Sequence, residues 1–198
     1  NDGEGGSIMK KGVWIVVGAV VLLLSGILGT VISEYNKAIR MNEAVRAQWA
    51  QVENQLKRRF DLIPNLVETV KGYAAHERET LERVIQARQQ CIEAKGVQAQ
   101  AGAENMLTGA LRQLFALSEA YPNLKANENF AQLQEELTNT ENMISFARQH
   151  YNNVVEQYNT AIQVFPAVLI AGMFGFGPEA FFEMQDPGQR EAPKVKFQ

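Results

Sequence analysis

From Gly12 to Ile32 the chain reads GVWIVVGAVVLLLSGILGTVI, about twenty-one residues without a charge, and a membrane-spanning helix needs roughly twenty. The segment 12–32 therefore reads as a transmembrane helix. A cleaved signal peptide would carry an apolar region of only about 7–15 residues ending in an A-x-A-like site. Neither condition is met. A membrane span of this kind leaves the remaining residues to form one domain of ordinary size.

The 46% hydrophobic content suits a real core. The net charge is −3 and the cations are interspersed with acids, so the concentrated positive face of a nucleic-acid binder is missing. Cys91 is the single cysteine, which excludes an intrachain disulfide. It falls in an apolar helical pattern and reads as a small core residue.

Residues 1–11 read as an N-terminal tail. The start NDGEGGSI does not resemble the beginning of a membrane anchor, whereas Met9-Lys10-Lys11 does. Glu4-Gly5-Gly6 can be encoded by a purine-rich ribosome-binding sequence, so residues 1–8 are expected to be non-native, with translation starting at Met9. A remnant of cloning is the rival explanation.

The remainder is helical by pattern, with no strand-like alternation and with prolines only where they would punctuate helices. The first soluble helix carries Tyr35, Asn42, Trp49 and Leu56 at seven-residue steps, with Ala38, Val45 and Val52 between them, a coiled-coil-like seam. Asn42 either sets the packing register or sits at the wetter edge of the stripe. With no Gly or Pro after Ile32, the membrane helix is expected to run into this seam. Lys57, Arg58 and Arg59 then read as last-turn cations complementing the helix dipole, Asp61 as a capping residue, and Pro64 as the start of the next helix. That makes KRRFDLIPNL a hairpin turn, with a docking site for an acidic partner as the alternative.

The second helix is expected from about Pro64 to Lys95, with Glu77 and Arg88 interrupting its apolar side. VQAQAGA reads as a loop, and a third helix as running from roughly Ala103 to Ala120. Asn127 is a plausible N-cap for the longest soluble helix, in which Phe130, Leu137, Ile144, Tyr151 and Tyr158 recur every seven residues. Short connections make sequential helices antiparallel neighbours. The predicted fold is all-α: a transmembrane helix continuing into an antiparallel up-down-up-down four-helix bundle over 33–163. Residues 164–198 form an irregular apolar segment, AVLIAGMFGFGPEAFF, and an extended tail, EAPKVKFQ.

Several stretches together resemble the LemA family of bacterial membrane-anchored helical proteins: QLKRRFDLIPNLVETVKGYAAHE, Ala87-Arg88, SEAYPNLKANENF, ISFARQHYNNVVEQYN, and the closing FP, FGF and APKVKF. The resemblance covers nearly the whole chain from Tyr35 onward and implies a membrane-anchored helix bundle. Some members look like lipoproteins with a Leu-Ser-Gly-Cys site where this chain has Leu24-Ser25-Gly26-Ile27. Ile27 offers no thiol to acylate, so the helix itself is expected to remain as the anchor.

Local spacing assembles no catalytic or metal site. His76-Glu77-x-x-Thr80 lacks the second histidine of a zinc-protease helix, and the positions three before His76 and His150 are Tyr73 and Ala147 rather than glutamates. The expectation is a non-enzymatic scaffold or interaction protein of the bacterial cell envelope, without cofactor or metal. Its expected partners are the lipid bilayer, further copies of itself and an envelope protein. The alternative is an accessory or ligand-binding module for an envelope enzyme such as a membrane metalloprotease.

Contact residues follow from the same reading. Gly18, Ser25, Gly26 and Gly29 put small side chains on faces where membrane helices approach closely, against the alternative that glycine is merely common in such helices. Phe165, Phe174, Phe176, Phe181 and Phe182 either meet the bilayer or a neighbouring copy, or fold back to cap the bundle. The Met-Lys-Lys head before the apolar run favours a single-pass topology with the bundle on the exported side.

Overall fold

The computed structural model describes residues 2–183, with side chains from residue 13 onward. All regular structure among them is helical: α1 (Asp2–Lys71), α2 (Arg78–Glu93), α3 (Val97–Leu117), the single turn α4 (Pro122–Lys125), α5 (Glu128–Gln163) and α6 (Ala167–Phe174). The chain divides into two compact units. One joins the chain up to Ala44 with Gln157–Pro178, and the other joins Val45–Glu156 with the segment from Glu179.

The largest departure from expectation is at Pro64, which lies inside α1 rather than at a hairpin turn. The reason is the apolar register. Leu56, Phe60, Ile63, Val67 and Val70 are all buried, and their three- and four-residue steps stay on one face only if the helix continues through the proline. Proline removes one backbone hydrogen bond and costs about 3 kcal/mol in a helix interior. Five buried side chains at roughly 1.5–3 kcal/mol each outweigh that cost. The chain turns instead at residues 72–77, where the Ala74 N–H donates to the Val70 carbonyl at 2.8 Å.

α3 starts six residues before the expected boundary. Gly96 has φ +83, a left-handed conformation that glycine adopts without a Cβ penalty, so one residue completes the turn after α2. The following stretch, read from sequence as a loop, is helical from Val97 and buries Gln100, Ala101, Ala103 and Glu104. Asn127 caps α5 as expected, its Oδ1 accepting the Phe130 N–H at 2.9 Å.

The seven-residue series on α5 is buried throughout: Phe130, Leu137, Ile144, Tyr151 and Tyr158. On α1, the core is carried by Ala38, Val45, Val52 and Leu56, while Tyr35, Asn42 and Trp49 are half-buried at its edge. Helices α2 and α3 pack against one another, and the rings of Phe115 and Phe130 join α3 to α5 with centroids 6.2 Å apart.

Candidate functional site

Arg59 follows Leu56 by three residues and precedes Ile63 by four, so the phase of α1 carries it into the core. Its Nη1 donates to Glu104 Oε2 at 2.9 Å and its Nη2 to Thr108 Oγ1 at 3.1 Å. Glu141 lies 4.0 Å from Nη2 at the exposed edge of the group. The side chains of Arg59 and Glu104 are 4% and 2% exposed. Such a pair loses much of its Coulomb attraction to desolvation. Burial lifts the Glu104 carboxyl above its ordinary range, against the opposing pull of Arg59. Cys91 belongs to the same cluster: burial, and then the neighbouring Glu104, push its thiol well up, which leaves it an inert thiol rather than a nucleophile. The adjacent cleft, lined by Arg59, Thr108, Arg112 and Glu141 among others, holds about 190 Å³, below the roughly 300–1,000 Å³ of ordinary ligand pockets.

Arg59 is therefore not a helix-end cation. Lys57, Arg58, Asp61 and Pro64 are exposed along α1 and form no turn. The register of Arg59, in step with Leu56 and Ile63, was the available signal, and its burial was hidden by the charge run around it.

The five phenylalanines fall into distinct environments. Phe182 is fully buried, its ring 5.6 Å from Trp49. Asn152 brackets its backbone, Oδ1 accepting the Phe182 N–H at 2.9 Å and Nδ2 donating to its carbonyl at 3.2 Å. Tyr151 donates to the Ala180 carbonyl at 2.9 Å, and burial followed by the charge of Glu179 pushes its hydroxyl up to about 12. Phe182 is core in this structure, whereas Phe181 remains exposed. Phe174 and Phe176 lie against Tyr35, with centroids 4.7 and 5.8 Å away. Phe165 is 79% exposed.

The short helix α6 was not anticipated, because Gly172 and Gly175 suggested broken structure. Gly175, at φ +76, instead supplies its left-handed C-cap. Ala167, Ile170 and Ala171 are buried beneath the helix, while Val168, Leu169 and Met173 face outward. The tail EAPKVKFQ lies outside the described residues.

The most apolar window of α1 is long enough to cross a membrane, and none of it is buried. A Cβ added at Gly18, Gly26 or Gly29 would meet nothing within 4 Å. The Ser25 hydroxyl is directed at the carbonyls of Val21 and Leu22, each at 2.9 Å, which satisfies its hydrogen-bonding need within the helix.

The LemA family model matches residues 48–197. The chain belongs to the LemA family. This LemA-family chain is 24% identical to magnetosome protein MamQ 2 of Paramagnetospirillum magneticum over 194 residues, spanning 85% of the chain and 71% of that relative. It is 25% identical to magnetosome protein MamQ of Magnetospirillum gryphiswaldense over 202 residues, spanning 89% and 74% respectively. With its uncovered apolar helix, this LemA-family member is a membrane-anchored helical protein.

Proposed function

We propose that the chain is a non-enzymatic, self-associating scaffold of the bacterial cell envelope that holds a helical domain beside the membrane. One observation carries this reading: the uncovered apolar span is the same helix, α1, that supplies Val52, Leu56, Ile63 and Leu66 to the buried core. One helix thus carries both the anchor and part of the core. The relatives are named as magnetosome proteins, and a scaffold role for this chain is part of the proposal. Within this proposal α1 beyond the span, α2, α3 and α5 form the antiparallel up-down-up-down bundle, for which the short connections at 72–77 and 94–96 are the support. In the same proposal the bundle lies on the exported side, for which the short Met-Lys-Lys head before the span is the support.

Self-association within the membrane is assigned to Gly18, Ser25, Gly26 and Gly29, whose surroundings are open. Solubilisation in mild detergent tests the proposal: the wild-type chain is expected in a large homo-assembly, and the double replacement Gly26→Leu, Gly29→Leu in smaller ones. A foreign protein at fixed stoichiometry without a homo-assembly would favour the accessory reading and overturn this one. Protease added outside spheroplasts is expected to digest the bundle, whereas full protection would reverse its side.

A further inference from the structure

Helix α6 has no polar side chain: its sequence is AVLIAGMF. One side is used internally, through Ala167, Ile170 and Ala171. The other presents Val168, Leu169 and Met173 at 42%, 58% and 75% exposure, extended by Phe165 just before it at 79%. A contiguous exposed apolar surface marks a contact with something other than water.

Its position indicates what that something is. Phe174, the last residue of α6, lies against Tyr35 with ring centroids 4.7 Å apart. Tyr35 is three residues, or about 4.5 Å of helix rise, beyond Ile32, where the uncharged span ends. Each headgroup layer of a bilayer is roughly 5–8 Å thick outside a hydrocarbon core of about 30 Å, and a span of about twenty-one residues fills that core. Tyr35 therefore falls in the headgroup layer, a depth at which tyrosine is enriched. Phe174 is held at that depth with it. A helix lying in the membrane surface ordinarily needs a polar face for water. In α6 that requirement is removed, because its other side is covered by the protein. A partner protein would be expected to meet a polar rim with hydrogen-bonding groups around the apolar centre, and α6 itself supplies no such side chain.

We infer that the outward face of α6, formed by Phe165, Val168, Leu169 and Met173, rests in the lipid headgroup boundary as a second, monotopic membrane contact beside the transmembrane span. This deepens the proposed function and rests on α1 being the anchor. Two membrane contacts in one unit restrict rocking of that unit about the span, which a single helix would leave free.

The test uses the full chain in vesicles of phosphatidylethanolamine and phosphatidylglycerol, with a diazirine amino acid placed singly at Leu169, Met173, Leu23 or Glu135. Leu169 and Met173 are exposed, so the replacement is tolerated by the fold. After irradiation, lipid adducts at Leu169 and Met173 are expected within about threefold of the yield at Leu23, as befits an apolar face at the acyl boundary. Glu135, exposed on α5, is expected to give none. Adducts at Leu169 and Met173 to a second copy of the chain without lipid adducts would overturn the inference in favour of a protein interface. Absence of adducts at both positions while Leu23 labels would overturn it and leave the anchor standing. Absence at Leu23 as well would overturn both, and equal labelling at Glu135 would show the contact to be non-specific and sink the inference.

Discussion

Arg88 Nε donates to the backbone carbonyl of Phe60 at 2.7 Å, the carbonyl four residues before Pro64. In an unbroken helix that oxygen would accept the N–H of residue 64, which proline does not have. The arginine of α2 thus replaces the missing helical donor, and a residue that interrupts the apolar side of its own helix becomes part of the reason α1 passes through Pro64.

Replacing Arg88 by Met should therefore cost about 2 kcal/mol, within the range for a hydrogen bond from a charged donor. The informative variant is Pro64→Ala, which restores the backbone N–H. In that background Arg88→Met should lose at least about 1 kcal/mol less than in the wild type. Urea unfolding of the detergent-solubilised chain, followed by circular dichroism, measures both. Additive losses would dissociate Arg88 from the proline.

The buried Arg59–Glu104 pair gives a second prediction. Arg59→Met alone leaves a carboxylate in the core and should destabilise by about 3–5 kcal/mol, whereas Arg59→Met with Glu104→Leu should be within about 1–2 kcal/mol of wild type. Equal losses in the single and double variants would contradict this account.

Glu104 also carries a pH signature. Its carboxyl is raised in the fold, chiefly by burial, so between the ordinary carboxylate range and the raised value the folded chain binds more protons than the unfolded chain. Stability from this group is present at low pH and is lost as pH rises through the raised value. The stability of wild type minus that of Glu104→Gln should therefore grow as pH falls from 7 towards about 4.5. If the difference shrank instead, the pull of Arg59 would exceed the desolvation.

Cys91 is buried and its thiol is raised. The unfolded chain loses that proton near about pH 8.5 while the folded chain keeps it, so stability should decline as pH climbs above that value, and Cys91→Ala should remove the decline. At neutral pH a thiol reagent should modify the native chain at the rate of its opening and the urea-unfolded chain at once. Fast labelling of the native chain would place Cys91 at the surface.

Phe182 and Phe165 separate core from surface within one aromatic segment. Phe182→Ala removes a fully buried ring packed on Trp49 and should cost about 3–5 kcal/mol. Phe165→Ser, at a 79% exposed position, should stay within about 0.5 kcal/mol. Thermal unfolding of both variants checks the pair, and similar melting temperatures would show that the assignment of Phe182 to the core is mistaken.

The features determined by the sequence alone are those in which one helix suffices to state the physics. The uncharged run from Gly12 to Ile32 specifies a membrane span by length and polarity. The five residues from Phe130 to Tyr158 at seven-residue steps specify a buried face, and Asn127 specifies a cap because the N–H it accepts is three residues away. What only the tertiary structure decided are the points at which another element changes the local preference. Pro64 and the KRR run argued for a turn, and locally that argument is sound. It fails because Arg88, twenty-eight residues beyond Phe60, supplies the donor that proline removes, and because the apolar stripe is buried on both sides of Pro64. Arg59 reads from sequence as a helix-end cation because its partner Glu104 lies forty-five residues away, beyond any helical spacing. The phenylalanines could not be sorted by composition. Whether such a ring is buried or exposed depends on what lies across from it, Trp49 for Phe182 and Tyr35 for Phe174, and those pairings exist only once the chain has folded.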